Sequence, residues 1–201
     1  MAQMTVRTIS NIALLSAGLC ASIGLSSCYA PALVAGAGTG AIMATDRRTS
    51  GTIVDDKTIE VKALHILSNN KELWKKGHIT AISYNNVLLL VGQAPTEALK
   101  AKAAQLVEDI PKVRTVYNEI TVGPPISYKE RSKDTWITTQ MKTRLLSSRT
   151  VQPMQVKVIT ENGILYLMGL LTEREEDEVI RLAKQIKGVK SIIKMFETIE
   201  T

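Results

Sequence analysis

Ile79-Thr80-Ala81-Ile82-Ser83-Tyr84-Asn85-Asn86-Val87-Leu88-Leu89-Leu90-Val91-Gly92 returns 77 positions later (156 − 79) as Val156-Lys157-Val158-Ile159-Thr160-Glu161-Asn162-Gly163-Ile164-Leu165-Tyr166-Leu167-Met168-Gly169. Each run is apolar over a strand length, breaks at two turn residues, resumes, and closes at a glycine. Asn-Gly is the strongest short hairpin signal, because a type I′ turn needs positive φ at both central positions. Asn85-Asn86 occupies the same place. Each run therefore predicts strand, tight turn, strand. The repetition predicts two copies of one folding unit.

Helical spacing brackets each hairpin. Ile59, Ala63 and Leu67 precede the first; Ile137, Met141 and Leu145 precede the second. After the first hairpin, Pro95 and Thr96 open a helix with Leu99, Ala103, Leu106 and Ile110 apolar. After the second, Thr172-Glu173-Arg174-Glu175 fits a capping box, and Val179, Leu182, Ala183 and Ile186 follow. A last strand ends each unit, Val113 to Val122 and Val189 to Ile199. The fold class is α+β: two tandem α-β-β-α-β domains, each a three-stranded mixed sheet with two helices on one face. The expected bounds are 54–123 and 133–201. A linker is expected over 124–132, stiffened by Pro124-Pro125.

The first 27 residues read differently. Arg7 precedes an uncharged, mostly apolar run from Ile9 to Leu25. A basic start, an apolar middle and small residues before a cut describe a secretory signal peptide. The run is shorter than the ~20 apolar residues of a spanning helix. Leu25-Ser26-Ser27-Cys28 resembles a bacterial lipobox, which implies cleavage before Cys28 and acyl chains, palmitate among them, on that residue. A plain signal peptide is the alternative. Cys20 is a poor rival acceptor, with Leu19 before it. Without Cys20, no disulfide is available, and core packing must supply the stability. Tyr29, rather than Asp, after the acceptor implies sorting to the outer membrane, facing the periplasm. Residues 28–53 read as a lipidated tether rich in Ala and Gly. Gly36-Ala37-Gly38-Thr39-Gly40 lacks the Lys-Ser/Thr and the preceding strand of a phosphate loop.

The hairpin ends Leu88-x-Leu90-x-Gly92 and Leu165-x-Leu167-x-Gly169 carry a family resemblance. So do the final strands, with Val113, Val116, Asn118 and Ile120, and with Val189, Ile192, Lys194 and Phe196. These units resemble the BON domain, and two of them behind a lipobox are similar to dual BON-domain outer-membrane lipoproteins. The resemblance implies phospholipid binding at the outer membrane, support of envelope integrity, and a place at the division site. It implies no enzymatic activity.

No catalytic constellation, metal cluster or cofactor motif stands out. His65 and His78 have no metal-ligand partner at helical spacing. The acidic group Glu173 to Glu178 suits a helix N-terminus, where carboxylates complement the dipole. The chain holds 25 Lys+Arg against 19 Asp+Glu, a net charge of +6. In a periplasmic setting that balance suggests phospholipid headgroups, lipopolysaccharide or cell wall rather than nucleic acid, with solubility alone as the alternative. The helix from Asp134 to Ser147 offers the surface. Ile137, Thr138, Met141 and Leu145 share one side, expected against the sheet. Trp136, Thr139, Thr143 and Leu146 share the other, with Lys142 and Arg144 flanking and Lys133 and Arg149 beyond the ends. An outward Trp with basic neighbours suits an anionic membrane such as one containing phosphatidylglycerol. Packing of Trp136 on the other domain is the structural alternative. A protein partner of the envelope, with the chain as adaptor, is the functional one. Trp74 reads as a loop residue capping a core edge; with Lys71, Lys75 and Lys76 beside it, a second contact is the alternative.

Overall fold

Both hairpin turns take the conformation their asparagines allow. A computed structural model describes residues 46–200; Cys28, the signal segment and the tether before Asp46 lie outside the described residues. Asn85 and Asn86 have φ of 50° and 63°, and Asn162 and Gly163 have 51° and 77°, the positive values a type I′ turn needs. Helices α1 (Ser50–Asn69) and α2 (Lys71–Lys76) precede strands β1 (His78–Tyr84) and β2 (Val87–Ala94); α3 (Glu97–Glu108) and β3 (Thr115–Val122) complete the first domain. The second holds α4 (Tyr128–Leu146), a 3-10 turn at Pro153–Gln155, β4 (Val156–Glu161), β5 (Ile164–Leu171), α5 (Glu173–Ala183) and β6 (Ser191–Thr198). In each sheet the central strand pairs antiparallel with its hairpin partner and parallel with the last strand. Gly92, at φ 126°, lies so near the start of β1 that a Cβ would collide with the His78 carbonyl oxygen.

Two boundaries and one residue placement differ from the sequence expectation. First, α1 starts at Ser50, four residues before the expected domain edge, because the Thr49 hydroxyl caps the Thr52 amide. Second, the expected linker is helical from Tyr128. Pro124-Pro125 ends the preceding strand, but Ser127 and Glu130 form a complete capping box that starts α4 at once. Third, Trp74, expected in a loop, lies instead on α2, a short helix capped by Asn70; it is 61% exposed and sits at the core edge beside Leu67 and Leu73.

Each domain closes its own core between helices and sheet. Ile59, Ala63, Leu67, Leu88, Leu90 and Val107 fill the first; Ile137, Met141, Leu145, Leu165, Leu167 and Val179 fill the second. Each first helix also lends a buried aspartate to its hairpin. Asp56 accepts from the Asn85 and Asn86 amides, both at 2.8 Å, and from the Ser83 hydroxyl at 2.6 Å. Asp134 accepts from the Asn162 and Gly163 amides, both at 2.7 Å. The two aspartates are 78 positions apart (134 − 56), the same offset as Ile59 and Ile137. They pin turn to helix with charge-assisted bonds.

The second face of each sheet is covered too. Leu89 and Val91 point away from the first core, and Tyr166 and Met168 point away from the second. These four meet Ile82 and Tyr84 in a third apolar cluster, with Ile159, Leu170, Ile193 and Met195 at its margin. The two sheets therefore pack face to face. The Tyr84 hydroxyl donates to the Gln155 carbonyl across the seam at 3.0 Å. Lys157–Glu60 at 3.1 Å and Gln93–Glu161 at 2.7 Å frame it, as does the Arg114–Glu197 pair. The segment Asp46–Arg48 straps the same seam. Arg47 forks onto Glu175 (2.6 and 3.0 Å) and donates to the Leu170 carbonyl. Arg48 pairs with Asp46 and Asp56 and lies 4.0 Å from the Tyr84 ring centre. All three apolar clusters lie between Ile59 and Phe196, so the segment 46–201 carries its cores and strap complete.

Burial pushes the Glu175 carboxyl up, but bonds from Arg47 and Thr172 outweigh it and hold the group below its ordinary 4.5. Glu60 behaves alike: burial raises it, while Lys57, Lys157 and the Ser83 amide bring it below 4.5. A carboxyl depressed in the folded state stabilises above its unfolded value and ceases to as pH falls through its folded value. Thermal midpoints are expected to hold between about pH 6 and 8 and to drop below about pH 4.5. Glu60→Gln and Glu175→Gln should each flatten that acid limb; an unchanged limb in both contradicts the assignment. Asp134→Ala should cost about 2–4 kcal/mol in urea unfolding, since two turn amides lose a charged acceptor. A loss under about 0.5 kcal/mol would show that the turn holds itself.

Candidate lipid-binding surface

Packing divides α4 into two faces. Ile137, Met141 and Leu145 are buried in the domain core, and Asp134 is fixed on its hairpin turn. Thr138 sits beside them and donates to the Thr160 hydroxyl at 2.8 Å. The sequence-derived outer residues all face away. Trp136 is 63% exposed, Leu146 is 73% exposed, and Thr139 and Thr143 are exposed between them. Trp136 therefore does not pack on the first domain.

The longer helix adds a residue that the sequence reading missed. Tyr128 is 88% exposed and lies 18 positions before Leu146 (146 − 128), five full turns at 3.6 residues each. Tyr128 and Leu146 thus mark the two ends of one stripe, about 27 Å long. The signal was present in Ser127-x-x-Glu130, which reads as a helix start once Pro-Pro is treated as a stop.

The hydroxyls of this face are turned inward. Thr135 donates to the Arg131 carbonyl, Thr139 to that of Thr135, Thr143 to that of Thr139, and Ser147 to that of Thr143, at 2.8 to 3.1 Å. A threonine whose Oγ1 bonds back to the preceding turn presents its methyl outward. The stripe is consequently more apolar than its composition suggests.

Cations border it. Lys133, Lys142 and Arg149 are exposed, as is Lys129 on the added turn. None of the four makes a hydrogen bond or ion pair among the described residues. Arg144, read as a flanking charge, is half-buried and donates to the Gln185 side chain at 2.8 Å, so it also ties α4 to the turn after α5. The acidic start of α5 has the structural use expected. Glu175 completes a capping box with Thr172, and the Glu176 carboxylate accepts from Thr198. His65 is exposed on α1, and His78 opens β1 half-buried, with burial and the Arg131 charge lowering its pKa. Among the described residues, no helix is long and apolar enough to cross a membrane.

The fold defines a class first: a tandem α+β protein made of two α-β-β-α-β units. The chain belongs to the BON domain family, whose pattern matches residues 55–124 and 133–200. It is similar to the outer membrane lipoprotein DolP of Haemophilus influenzae, 38% identical over 197 residues, covering 98% of this chain and all of that one. It is 37% identical over 155 residues to a 21 kDa hemolysin of Actinobacillus pleuropneumoniae, covering 77% and 80% of the two chains. Among solved structures, the C-terminal domain of CdsD, a type III secretion structural protein of Chlamydia trachomatis, aligns at 17% identity. That alignment covers 72% of this chain and 67% of that one, with a TM-score of 0.29.

If the outer threonines face solvent with their methyls, removing the hydroxyls should matter little. Thr139→Val with Thr143→Val is expected to leave stability within about 1 kcal/mol, because shape and β-branching are kept. A thermal unfolding series checks this, and a larger loss would mean the back-bonds hold the helix together.

Proposed function

We propose that this chain is a non-enzymatic lipoprotein of the outer membrane, tethered through Cys28 and facing the periplasm, that binds anionic phospholipid through the outer face of α4. The observation that carries the reading is Trp136, exposed in a stripe of back-bonded threonines and bordered by unpaired cations. An indole sits well at headgroup depth, and aliphatic Leu146 and the threonine methyls can enter the boundary beside it. Lys133, Lys142 and Arg149 would meet phosphates, each cation contributing about 1 kcal/mol near an anionic surface. The similarity to a protein named an outer membrane lipoprotein supports the compartment. Envelope integrity as the physiological role, and a place at the division site, follow from the family resemblance alone.

Such a face binds weakly by itself. Acyl chains on Cys28 would convert that weak contact into a local one, through effective concentration. The 18 residues from Cys28 to Asp46 (46 − 28) span at most about 60 Å when extended, ample for the face to reach the bilayer that holds the anchor.

Vesicle co-sedimentation of the segment 46–201 tests the site. Binding should be strong on vesicles containing phosphatidylglycerol, weak on neutral phosphatidylcholine, and at least about tenfold weaker for Trp136→Glu, which places a carboxylate against the surface. Equal binding by Trp136→Glu would remove the site, and equal binding to both lipids would remove the mechanism. Binding of a purified envelope protein without lipid, lost in Trp136→Glu, would favour the adaptor reading instead.

A further inference from the structure

Beyond its last turn, α4 opens onto a second feature. An open cleft of about 520 Å³ lies between the end of α4, the loop after it and the outer side of α5. Three guanidinium groups line it, from Arg144, Arg149 and Arg181, against one carboxylate, Glu178. Its formal charge is therefore +2 (three minus one). Thr150 adds a hydroxyl, while those of Ser147 and Ser148 already donate, to the Thr143 carbonyl at 3.1 Å and to Glu178 at 3.5 Å.

The arginines are held in different ways. Glu178 grips Arg181 through Nε at 2.7 Å and Nη2 at 2.8 Å. That pairing fixes the direction of the fork and leaves Nη1 unused. Arg144 is held by Gln185 through Nη1 and Nη2, which leaves its Nε. Arg149 has no partner among the described residues. Two of three cations are thus pre-positioned by protein contacts, and the third is free to close on a ligand. The Ser148 hydroxyl accepts from the Thr150 and Val151 amides and so shapes the loop.

Planar guanidiniums match phosphate oxygens, and several around one cleft favour a group with more than one charge. The cleft also adjoins the outer stripe of α4, because Thr143 belongs to both. A lipid lying along the stripe past Thr143 would bring its headgroup to this cleft. We propose that the Arg144–Arg149–Arg181 cleft binds the phosphate of a membrane lipid and prefers a phosphomonoester to a phosphodiester. This deepens the lipid-binding reading and rests on it. A monoester carries about −1.5 to −2 charges near neutral pH and three terminal oxygens, whereas the diester of phosphatidylglycerol carries one charge and two.

The test compares vesicles of phosphatidylcholine doped with phosphatidic acid or with phosphatidylglycerol, matched for surface potential. The segment 46–201 should bind the phosphatidic acid vesicles at least about fivefold more tightly at matched potential. Arg149→Gln with Arg181→Gln should bring that ratio close to one, and Arg181→Gln alone should at least halve it. Inorganic phosphate should shift the backbone amide resonances of residues 147–150 in the wild type and not in the double variant. A ratio of one in the wild type, or a ratio that survives the double substitution, overturns the proposal. Phosphate shifts without any phosphatidic acid preference also overturn it, because the cleft would then serve a soluble phosphate. If phosphatidylglycerol vesicles are bound and Trp136→Glu weakens them while the ratio is one, only this inference fails. If phosphatidylglycerol vesicles are not bound at all, the parent reading fails first.

Discussion

The central strands β2 and β5 are buried on both faces, and most of the molecule follows from that. Val87 to Val91 is apolar at every position, as is Ile164 to Met168. Alternate residues fill the domain's own core; the others would face water if each domain stood alone. Burying them requires a second layer, and the partner sheet supplies it through Leu89, Val91, Tyr166 and Met168. Continuous apolar strands are the mark of a sheet covered on both sides. With the sheets back to back, both sets of helices must lie outside. The outer face of α4 is therefore exposed as a consequence of the core, and Trp136 stays largely open among the described residues.

The strap at Asp46–Arg48 fixes where the described chain begins at the seam. Arg47 holds the capped start of α5, while Arg48 holds Asp56 on α1 and covers Tyr84. The point where a tether from Cys28 would enter is thereby fastened to both domains at the seam. Burial also pushes the Tyr84 hydroxyl up to about 12, so it stays a neutral donor to Gln155 across the usable pH range. The two domains are thus held together at the seam next to the strap.

The hairpins, their turns, the order of elements and the core face of α4 were legible in the sequence. Asn162-Gly163 and the 77-residue repeat were enough for the strands, and Ile137, Met141 and Leu145 for the helix face. The start of α4 was missed because Pro124-Pro125 drew the linker too far, although Ser127 and Glu130 carried a start signal. Tyr128 was lost with it. Asp56 and Asp134 stood in the repeat at matching positions, but an aspartate on a helix reads as solvated until its turn is placed beside it. The seam was half legible: unbroken apolar strands demand a cover, yet pattern alone does not say that the other copy provides it. Contacts such as Arg47 with Glu175, 128 positions apart (175 − 47), leave no local trace at all. The proposed role of Trp136 toward lipid rests on exposure and charge, which sequence periodicity could only outline.

Depth-resolved fluorescence addresses the central claim most directly, because the two tryptophans are almost equally exposed and lie on different domains. The segment 46–201 carrying Trp74→Phe reports on Trp136 alone, and Trp136→Phe reports on Trp74. On phosphatidylglycerol vesicles with brominated acyl chains, Trp136 emission should shift to shorter wavelength and be strongly quenched, while Trp74 should keep its emission in both position and intensity. Unquenched Trp136 on vesicles that nevertheless bind the protein, or equal quenching of both residues, would contradict the assignment of the α4 face to the membrane.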